Sequence, residues 1–400
     1  MTSTMSANAA TIEWAFGVAA ALVVYAYAGY PLTVWALARM LRWRLPEGVG
    51  DQAGAPEAWP SVSLIIPAHN ERRHIVGKLA NVLALDYPAE RLEIICVSDG
   101  STDGTPDLVR EAFGDRVLVI EVTTRGGKSG ALNAGLDRAS NDLVIFSDAS
   151  ILLEPQAMKR IVAPFSDPRI GCVSGEDRIE GHGGEALYGR YELFLRREES
   201  KLNSIVGASG CFYAQRRQLC GRFVPNLAPD FLSVLRTVAA GYRAVSEPGA
   251  SGTMAAVDRT GAEFERKVRT LLRGMTTLAT FPHLLNPFAF PVYAFELLAH
   301  KLLRWLVPAF LIVMLVTAGW LASDSVVFLA VFVVQVAAYA AAAVGVWGPA
   351  SLKRLLLVKA AAYFVVTNAA AAVAWLKYFA GVRQEIWSPS QRTQSTGPAS

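Results

Sequence analysis

Three aspartate-centred segments punctuate the middle of this 400-residue chain: Ser98-Asp99-Gly100-Ser101-Thr102-Asp103, Ser147-Asp148-Ala149-Ser150 and Ala228-Pro229-Asp230. Asp99 follows the apolar run Ile94–Val97, where a carboxylate can accept hydrogen bonds from a nucleobase N–H or a ribose hydroxyl. Asp148 ends the run Leu143–Phe146, and a carboxylate there can take a divalent cation that also bridges phosphates. Asp230 opens a helical stretch ending near Gly241 and could serve as a general base toward a hydroxyl. Each also has a plainer reading. Gly100 suits a sharp turn, with Ser101 or Thr102 as a helix cap. Asp148 fits a strand-end turn, and Asp230 fits a first-turn acid that offsets the helix dipole.

Three further segments carry chemistry of the same kind. Pro67-Ala68-His69-Asn70-Glu71 ends an apolar run and opens a helix, whose free N–H groups favour an anion. Its plainer reading is a cap with Asn70 as N-cap. Arg125-Gly126-Gly127-Lys128-Ser129-Gly130 is glycine-rich and basic, and can hold phosphates through backbone N–H groups and Lys128, or can be a surface turn. Its spacing is not that of a Walker A loop, and no GxGxxG follows the first strand, which argues against a dinucleotide oxidoreductase. Arg266-Lys267-Val268-Arg269, with Arg273, sets cations at helical spacing, suited to a leaving diphosphate or to a lipid surface.

The elements that must position these groups alternate. Apolar runs predict strands over 62–66, 93–98, 117–122, 142–147 and 170–174. Helical patterns lie between them: Ile75, Leu79, Val82 and Leu83 share one face, as do Leu187, Tyr191, Phe194 and Leu195. Strands alternating with helices imply βαβ units and a mostly parallel sheet, whose ligands bind beyond the strands' C-terminal ends. Asn70, Asp99 and Asp148 fall there.

Composition brackets this α/β segment with membrane. The chain is 52% hydrophobic and 18% charged, with a mean hydropathy of +0.31. The stretch from Trp14 to about Ala38 is long enough to span a bilayer and too long for a signal-peptide core. Arg39, Arg42 and Arg44 follow it, which predicts an outside N-terminus and a cytoplasmic domain. Phe288–Arg304, with Glu296, His300 and Lys301, reads as an interfacial amphipathic helix; Leu306–Leu321, Val326–Trp347 and Leu355–Ala380 read as spans. Three spans after a cytoplasmic domain put the tail outside, whereas Lys377, Arg383 and Arg392 favour inside, so crossing by the Phe288–Arg304 segment stays open. The expected organisation is an N-terminal span with basic flank (1–45), a Pro/Gly-rich linker (46–60), the α/β domain (61–280), an interfacial segment (281–304), C-terminal spans (305–382) and a tail (383–400). A net charge of +4 without a dense basic stripe excludes nucleic acid as the expected partner, while basic residues near the span ends suit anionic lipid. The four cysteines form no CxxC pair, so neither a zinc site nor a disulfide framework is expected.

In this order the motifs resemble those of the family 2 glycosyltransferases, in particular the membrane-integrated branch related to cellulose, hyaluronan and poly-N-acetylglucosamine synthases. The resemblance implies an α/β GT-A-type domain, Rossmann-like with a mostly parallel sheet, flanked by transmembrane helices. Pro67, Asn70, Glu71 and Asp99 match residues that bind the uridine part of the donor. Gly127–Asn133 matches the Gly-Lys-x-x-Ala-Leu-Asn element and includes Lys128. Asp148-Ala149-Ser150 matches Asp-x-Asp, making Asp148 the implied ligand of Mg²⁺ or Mn²⁺. Pro229-Asp230 matches the Glu-Asp of the catalytic base, and Arg266–Thr270 matches Gln-x-x-Arg-Trp, with Arg266 and Arg269 toward the donor. Gly207-Ala208-Ser209-Gly210 resembles the acceptor-side loop, with Gly207, Ser209 and Gly210 as its candidates. Four positions in three motifs depart: Ser150 replaces the second Asp, Pro229 the Glu, and Arg266 and Thr270 the Gln and Trp. The implied function is an inverting transferase in the cell membrane, with its site cytoplasmic, moving a sugar from a UDP donor to a lipid-linked or glycan acceptor hydroxyl. The loss of the Trp disfavours a processive polymerase. The alternatives are sugar transfer to a polyprenyl phosphate and a non-catalytic partner subunit.

Overall fold

The computed structural model describes residues 2–41, 58–179, 184–254 and 260–383. Arg42, Arg44, the linker residues up to 57, Arg392 and the rest of the tail from 384 lie outside the described residues. In chain order the first elements are α1 (Thr2–Val24) and α2 (Tyr30–Leu41), joined by a π-helical turn, Tyr25–Gly29. Next come β1 (Val62–Ala68), α3 (Ile75–Leu83), β2 (Leu92–Asp99), α4 (Thr105–Phe113), β3 (Leu118–Val122), α5 (Gly127–Arg138) and β4 (Leu143–Ser147). Then follow β5 (Leu152–Leu153), α6 (Ala157–Val162), β6 (Ile170–Ile179), α7 (Gly184–Leu202), β7 (Phe212–Arg216), α8 (Arg217–Cys220), α9 (Pro229–Ala239), β8 (Arg243–Met254) and α10 (Thr260–Ala279). The last are α11 (Pro291–Glu296), α12 (Leu303–Leu321), α13 (Val326–Trp347), α14 (Ala350–Lys353) and α15 (Leu356–Phe379). They form two units: an α/β unit of residues 36–260, 273–294 and from 383 on, and a helical unit of residues 1–35, 261–272 and 295–382.

The α/β unit is built on an eight-stranded sheet in the order β3-β2-β1-β4-β7-β6-β8-β5. Strands β3, β2, β1 and β4 run parallel, as the alternating pattern predicts. Every residue of β1 is buried, as a strand covered on both faces requires. Helix α3 packs Ile75, Leu79 and Val82 into the same core as Val62, Leu64 and Ile66. The other half of the sheet is mixed: β7 is antiparallel to β4 and β6, and β6 is parallel to β8. Local patterning did not predict β7 or β8. The first is a five-residue strand ending in Gln215 and Arg216, and the second contains Pro248 and Gly249. The chain runs outward from β1 to β2 and β3, then returns to β4 on the other side of β1. In open α/β sheets ligands bind beyond the strand ends at such a reversal. Register aligns Ala68 with Ser98, Asp99 with Val122 and Ile65 with Phe146, so the loops after β1, β2 and β4 emerge at one edge. Cys96, Cys172 and Cys220 are buried, and all four cysteines are free thiols.

Among the described residues, four helices are long and apolar enough to cross a membrane: Ala10–Leu41, Pro291–Leu321, Val326–Trp347 and Leu356–Phe379. The Phe288–Arg304 segment, left open between interfacial and crossing, is from Pro291 on continuous with the helix that follows it. A π-helical turn, Leu297–Leu302, joins α11 to α12 without a break, so Glu296, His300, Lys301 and Arg304 lie within one 31-residue helix. Charged residues do not interrupt a helical hydrogen-bond ladder, and Pro291 stands where proline is tolerated, at the start. Within the helical unit, side-chain hydrogen bonds join spans: Asn368 Nδ2 donates to Tyr27 Oη at 3.3 Å and Trp375 Nε1 to the Trp305 carbonyl at 2.9 Å.

Candidate active site

The loops after β1 and β2 are stitched together. Asn70 takes a left-handed conformation, φ 54°, and its Oδ1 accepts the Thr102 N–H at 2.8 Å. Its own N–H goes to Ser101 Oγ at 3.2 Å, the Glu71 N–H to Thr105 Oγ1 at 3.1 Å, and the Arg72 N–H to Asp103 Oδ2 at 3.1 Å. Asn70 is therefore a tie between loops rather than a helix cap; α3 begins later, with His74 at its N-cap. Pro67 sits near the end of β1, paired in register with Val97. Asp99 is buried, and its Oδ1 accepts the Gly126 N–H at 2.7 Å, which ties the β2 end to the glycine-rich loop. Its carbonyl faces His69 Nδ1 at 2.6 Å.

Lys128, at the start of α5, reaches across to two other segments. Its Nζ donates to Asp148 Oδ1 at 2.5 Å and to the Gly210 carbonyl at 2.7 Å. Burial works against the Lys128 ammonium, but Asp148 and, more weakly, Asp230 hold it above the ordinary lysine value. Gly210 adjoins Asp230: a Cβ added there would lie 3.8 Å from Asp230 Cγ. Asp230 follows Pro229 in the first turn of α9, and among the described residues its carboxylate makes no hydrogen bond or ion pair. Asp148, Lys128, Gly210 and Asp230 thus form one cluster, although 20 residues separate Lys128 from Asp148 and 82 separate it from Gly210.

Glu71 joins this cluster electrostatically. Burial raises its acid first, the charges of Asp148 and Asp103 raise it further, and it reaches about 7. Two acidic groups that repel one another suit a hard cation. Among the described residues no three His, Cys, Asp or Glu side chains could hold a metal by themselves. Mg²⁺ and comparable ions commonly take one or two protein carboxylates and fill the rest of the shell from substrate phosphates and water. Asp148 fits that arrangement, and the Ser150 hydroxyl beside it is only a weak donor.

Other residues hold this framework, and of these local patterning did not single out Phe223, Leu227 or Thr277. Asn133 forms a reciprocal pair with the backbone of Phe223, both bonds 2.8 Å, and fixes the segment leading to Asp230. Arg273 donates to the Leu227 carbonyl at 2.9 Å, and Thr277 Oγ1 accepts the Ala228 N–H at 2.9 Å. Ser209 is fully buried, and its hydroxyl accepts the N–H groups of Cys211 and Phe212, so it shapes the loop that presents Gly210. Gly207 lies in the same loop, three residues before Gly210. Arg266 and Arg269 fall on the part of α10 that belongs to the helical unit. Burial, then the neighbouring Arg266 charge, lowers the Arg269 guanidinium below its ordinary value.

Known proteins share this architecture. Residues 63–223 match the family model described as glycosyl transferase family 2. The poly-beta-1,6-N-acetyl-D-glucosamine synthase of Staphylococcus aureus (strain COL) is 26% identical over 247 residues, which are 58% of this chain and 59% of that one. The match thus spans about three-fifths of that relative's length. The Bacillus subtilis (strain 168) protein named "Probable glycosyltransferase YdaM" is 37% identical over 126 residues, 30% of each chain. Among solved structures, the mannosyltransferase PcManGT from Pyrobaculum calidifontis, in complex with GDP-Man and Mn²⁺, superposes with a TM-score of 0.71. That match is 25% identical and covers 91% of this chain and 99% of that one. An α/β sheet with its acidic loops at one edge, the family model and the structural counterpart agree: residues 63–223 match glycosyl transferase family 2, and the α/β unit has a GT-A fold.

Proposed function

We propose that the protein is a membrane-bound inverting glycosyltransferase that moves a sugar from a nucleoside-diphosphate donor, a UDP-sugar first, to an acceptor hydroxyl. One observation carries the reading. The carboxylate of Asp230, unpaired among the described residues, lies against Gly210, whose carbonyl shares the Lys128 ammonium with Asp148. A free base beside a cation-and-carboxylate pair is what attack on a diphosphate-activated sugar requires.

In this mechanism Asp230 takes the proton from the acceptor hydroxyl. The oxygen bonds to the anomeric carbon on the face opposite the diphosphate, and the bond from that carbon to the diphosphate oxygen breaks. Lys128 opposes the negative charge that grows on the leaving group. Asp99 and the tied loops around Asn70 hold the nucleoside, and the rigid Gly207–Gly210 loop borders the acceptor. Asp148 would hold Mg²⁺ or Mn²⁺, which when bound would supply charge neutralisation on the diphosphate.

The test is turnover and donor affinity of Asp230→Asn. Turnover falls by about 100-fold or more while donor affinity stays within about twofold, as expected for a lost general base. Near-normal turnover would remove Asp230 from the role. It would favour a second reading, transfer to a polyprenyl phosphate whose oxygen is already ionised. That reading is supported by Thr270 in place of the Trp of processive synthases. A GDP-sugar is the alternative donor, because the mannosyltransferase counterpart was solved with GDP-Man. A non-catalytic partner subunit would bind neither nucleotide with Mn²⁺. Arg39, in the last turn of the first apolar helix, supports a cytoplasmic site, which thiol labelling of a cysteine placed in an α/β-unit loop would check from each side of the membrane.

A further inference from the structure

Lys78 stands on the apolar face of α3 among Ile75, Leu79 and Val82, and it is completely buried. Its Nζ donates to Ser147 Oγ at 2.7 Å and to the Ile151 carbonyl at 2.7 Å. Among the described residues it forms no ion pair, so its hydrogen-bond acceptors are two neutral oxygens. An ammonium in such a place is held against its solvation, and burial pushes it down to about 7 while the charge of Asp148 works the other way. A leucine or methionine would fill the same apolar face without that cost. What the lysine adds is a bond to each end of one turn, because Ser147 closes β4 and Ile151 follows the turn that carries Asp148. One helical turn further along α3, Asn81 forms a reciprocal pair with Leu153, at 2.9 and 2.8 Å. On the opposite side, the Asp148 N–H is held by the Cys211 carbonyl at 2.9 Å. Helix α3 is therefore a brace behind the Asp148 turn.

We propose that Lys78 is a positioning residue for glycosyl transfer: by clamping Ser147 and Ile151 it holds the turn so that Asp148 faces the donor diphosphate and its cation. The inference rests on the proposed function of this site. A clamp matters more here than in a site with two acids, because Ser150 leaves Asp148 as the only carboxylate of its motif.

The experiment is calorimetric titration of the full-length protein in detergent, with UDP and with GDP, each with and without Mn²⁺. The proteins are wild type, Lys78→Met and Ser147→Ala, each with its melting temperature recorded. Lys78→Met melts at or above the wild-type temperature. It loses about tenfold or more of the Mn²⁺-dependent affinity, the size expected when the support of a metal-holding residue is removed. Its Mn²⁺-independent nucleotide affinity is unchanged, whereas a general loosening of the domain would lower both. Ser147→Ala, which keeps the Ile151 bond, shows a smaller loss of the same kind. If Lys78→Met does not fold, Ser147→Ala decides alone. A wild-type profile in a folded variant overturns the inference and leaves the transferase reading intact. Equal losses with and without Mn²⁺ overturn it too. If wild type binds neither nucleotide with Mn²⁺, the transferase reading falls and this inference falls with it.

Discussion

Glu71 shows how strongly the site loads single side chains. Its carboxyl is pushed from 4.5 to about 7 by burial, then by Asp148 and Asp103. An acid raised in the folded state binds its proton more tightly there, so its contribution to stability is complete below its unfolded value. That contribution is lost as pH climbs through about 7. We expect the ligand-free protein to lose up to about 1 kcal/mol from this group between roughly pH 5 and pH 7, after allowance for solvent screening. Thermal melts of Glu71→Gln across that range should show a flatter profile, and an unchanged slope would assign the pH dependence elsewhere. Asp148 makes a second test. Asp148→Ala removes the ion-pair partner of Lys128 and the one carboxylate of its motif, so Mn²⁺-dependent nucleotide binding should disappear in calorimetry while the fold persists. Retained binding would mean that the cation is held by other residues. Asp99 and Asp148 were legible as strand-end carboxylates. Lys78 carried a signal as well, a lysine at i+3 from Ile75 on an otherwise apolar helix face, but exposed lysines look the same in a pattern.

At the scale of elements, α5 carries Lys128 at one end and presses on the sheet at the other. A Cβ at Gly135 would lie 2.5 Å from Ile65 Cγ2 and 3.2 Å from Val97 Cγ2. Alanine gains up to about 1 kcal/mol of helix propensity over glycine, but overpacking costs about 1–3 kcal/mol. Ile65 and Val97 are fully buried in the sheet, so the cost should win, and Gly135→Ala should lower the melting temperature. Gly130 in the same helix would meet nothing within 4 Å, so Gly130→Ala should be neutral or stabilising and serves as the control. The reverse order would mean that α5 lies less close to β1 and β2. The parallel half of the sheet was legible because its strands are uninterrupted apolar runs. The half formed by β7, β6 and β8 was not, apart from the start of β6. Its strands pair with partners distant in sequence, β7 antiparallel to β4 and β6 and β8 parallel to β6, and carry Gln215, Arg216, Pro248 and Gly249.

The whole molecule combines a family 2 domain with helices whose surfaces are apolar outward. Val326 is 81% exposed, Leu357 81% and Trp347 82%. Such faces need a lipid or detergent environment. The protein should stay with the membrane pellet through an alkaline carbonate wash and be released by detergent. Release by carbonate alone would mean that the four apolar helices do not anchor it.

Local properties of the chain sufficed for much of this. Apolar runs bounded by Gly, Asp and Ser fix where a buried strand ends, and so where Asp99 and Asp148 emerge, and long apolar stretches mark helices able to span a bilayer. Only the tertiary structure brought Lys128 to Asp148 and Gly210, set Gly210 beside Asp230, buried Lys78 behind the Asp148 turn and joined Pro291 to Leu321 in one helix. Hydropathy and periodicity are summed over neighbouring residues. The burial of a cation or the meeting of side chains 82 positions apart is decided by how distant segments pack against one sheet.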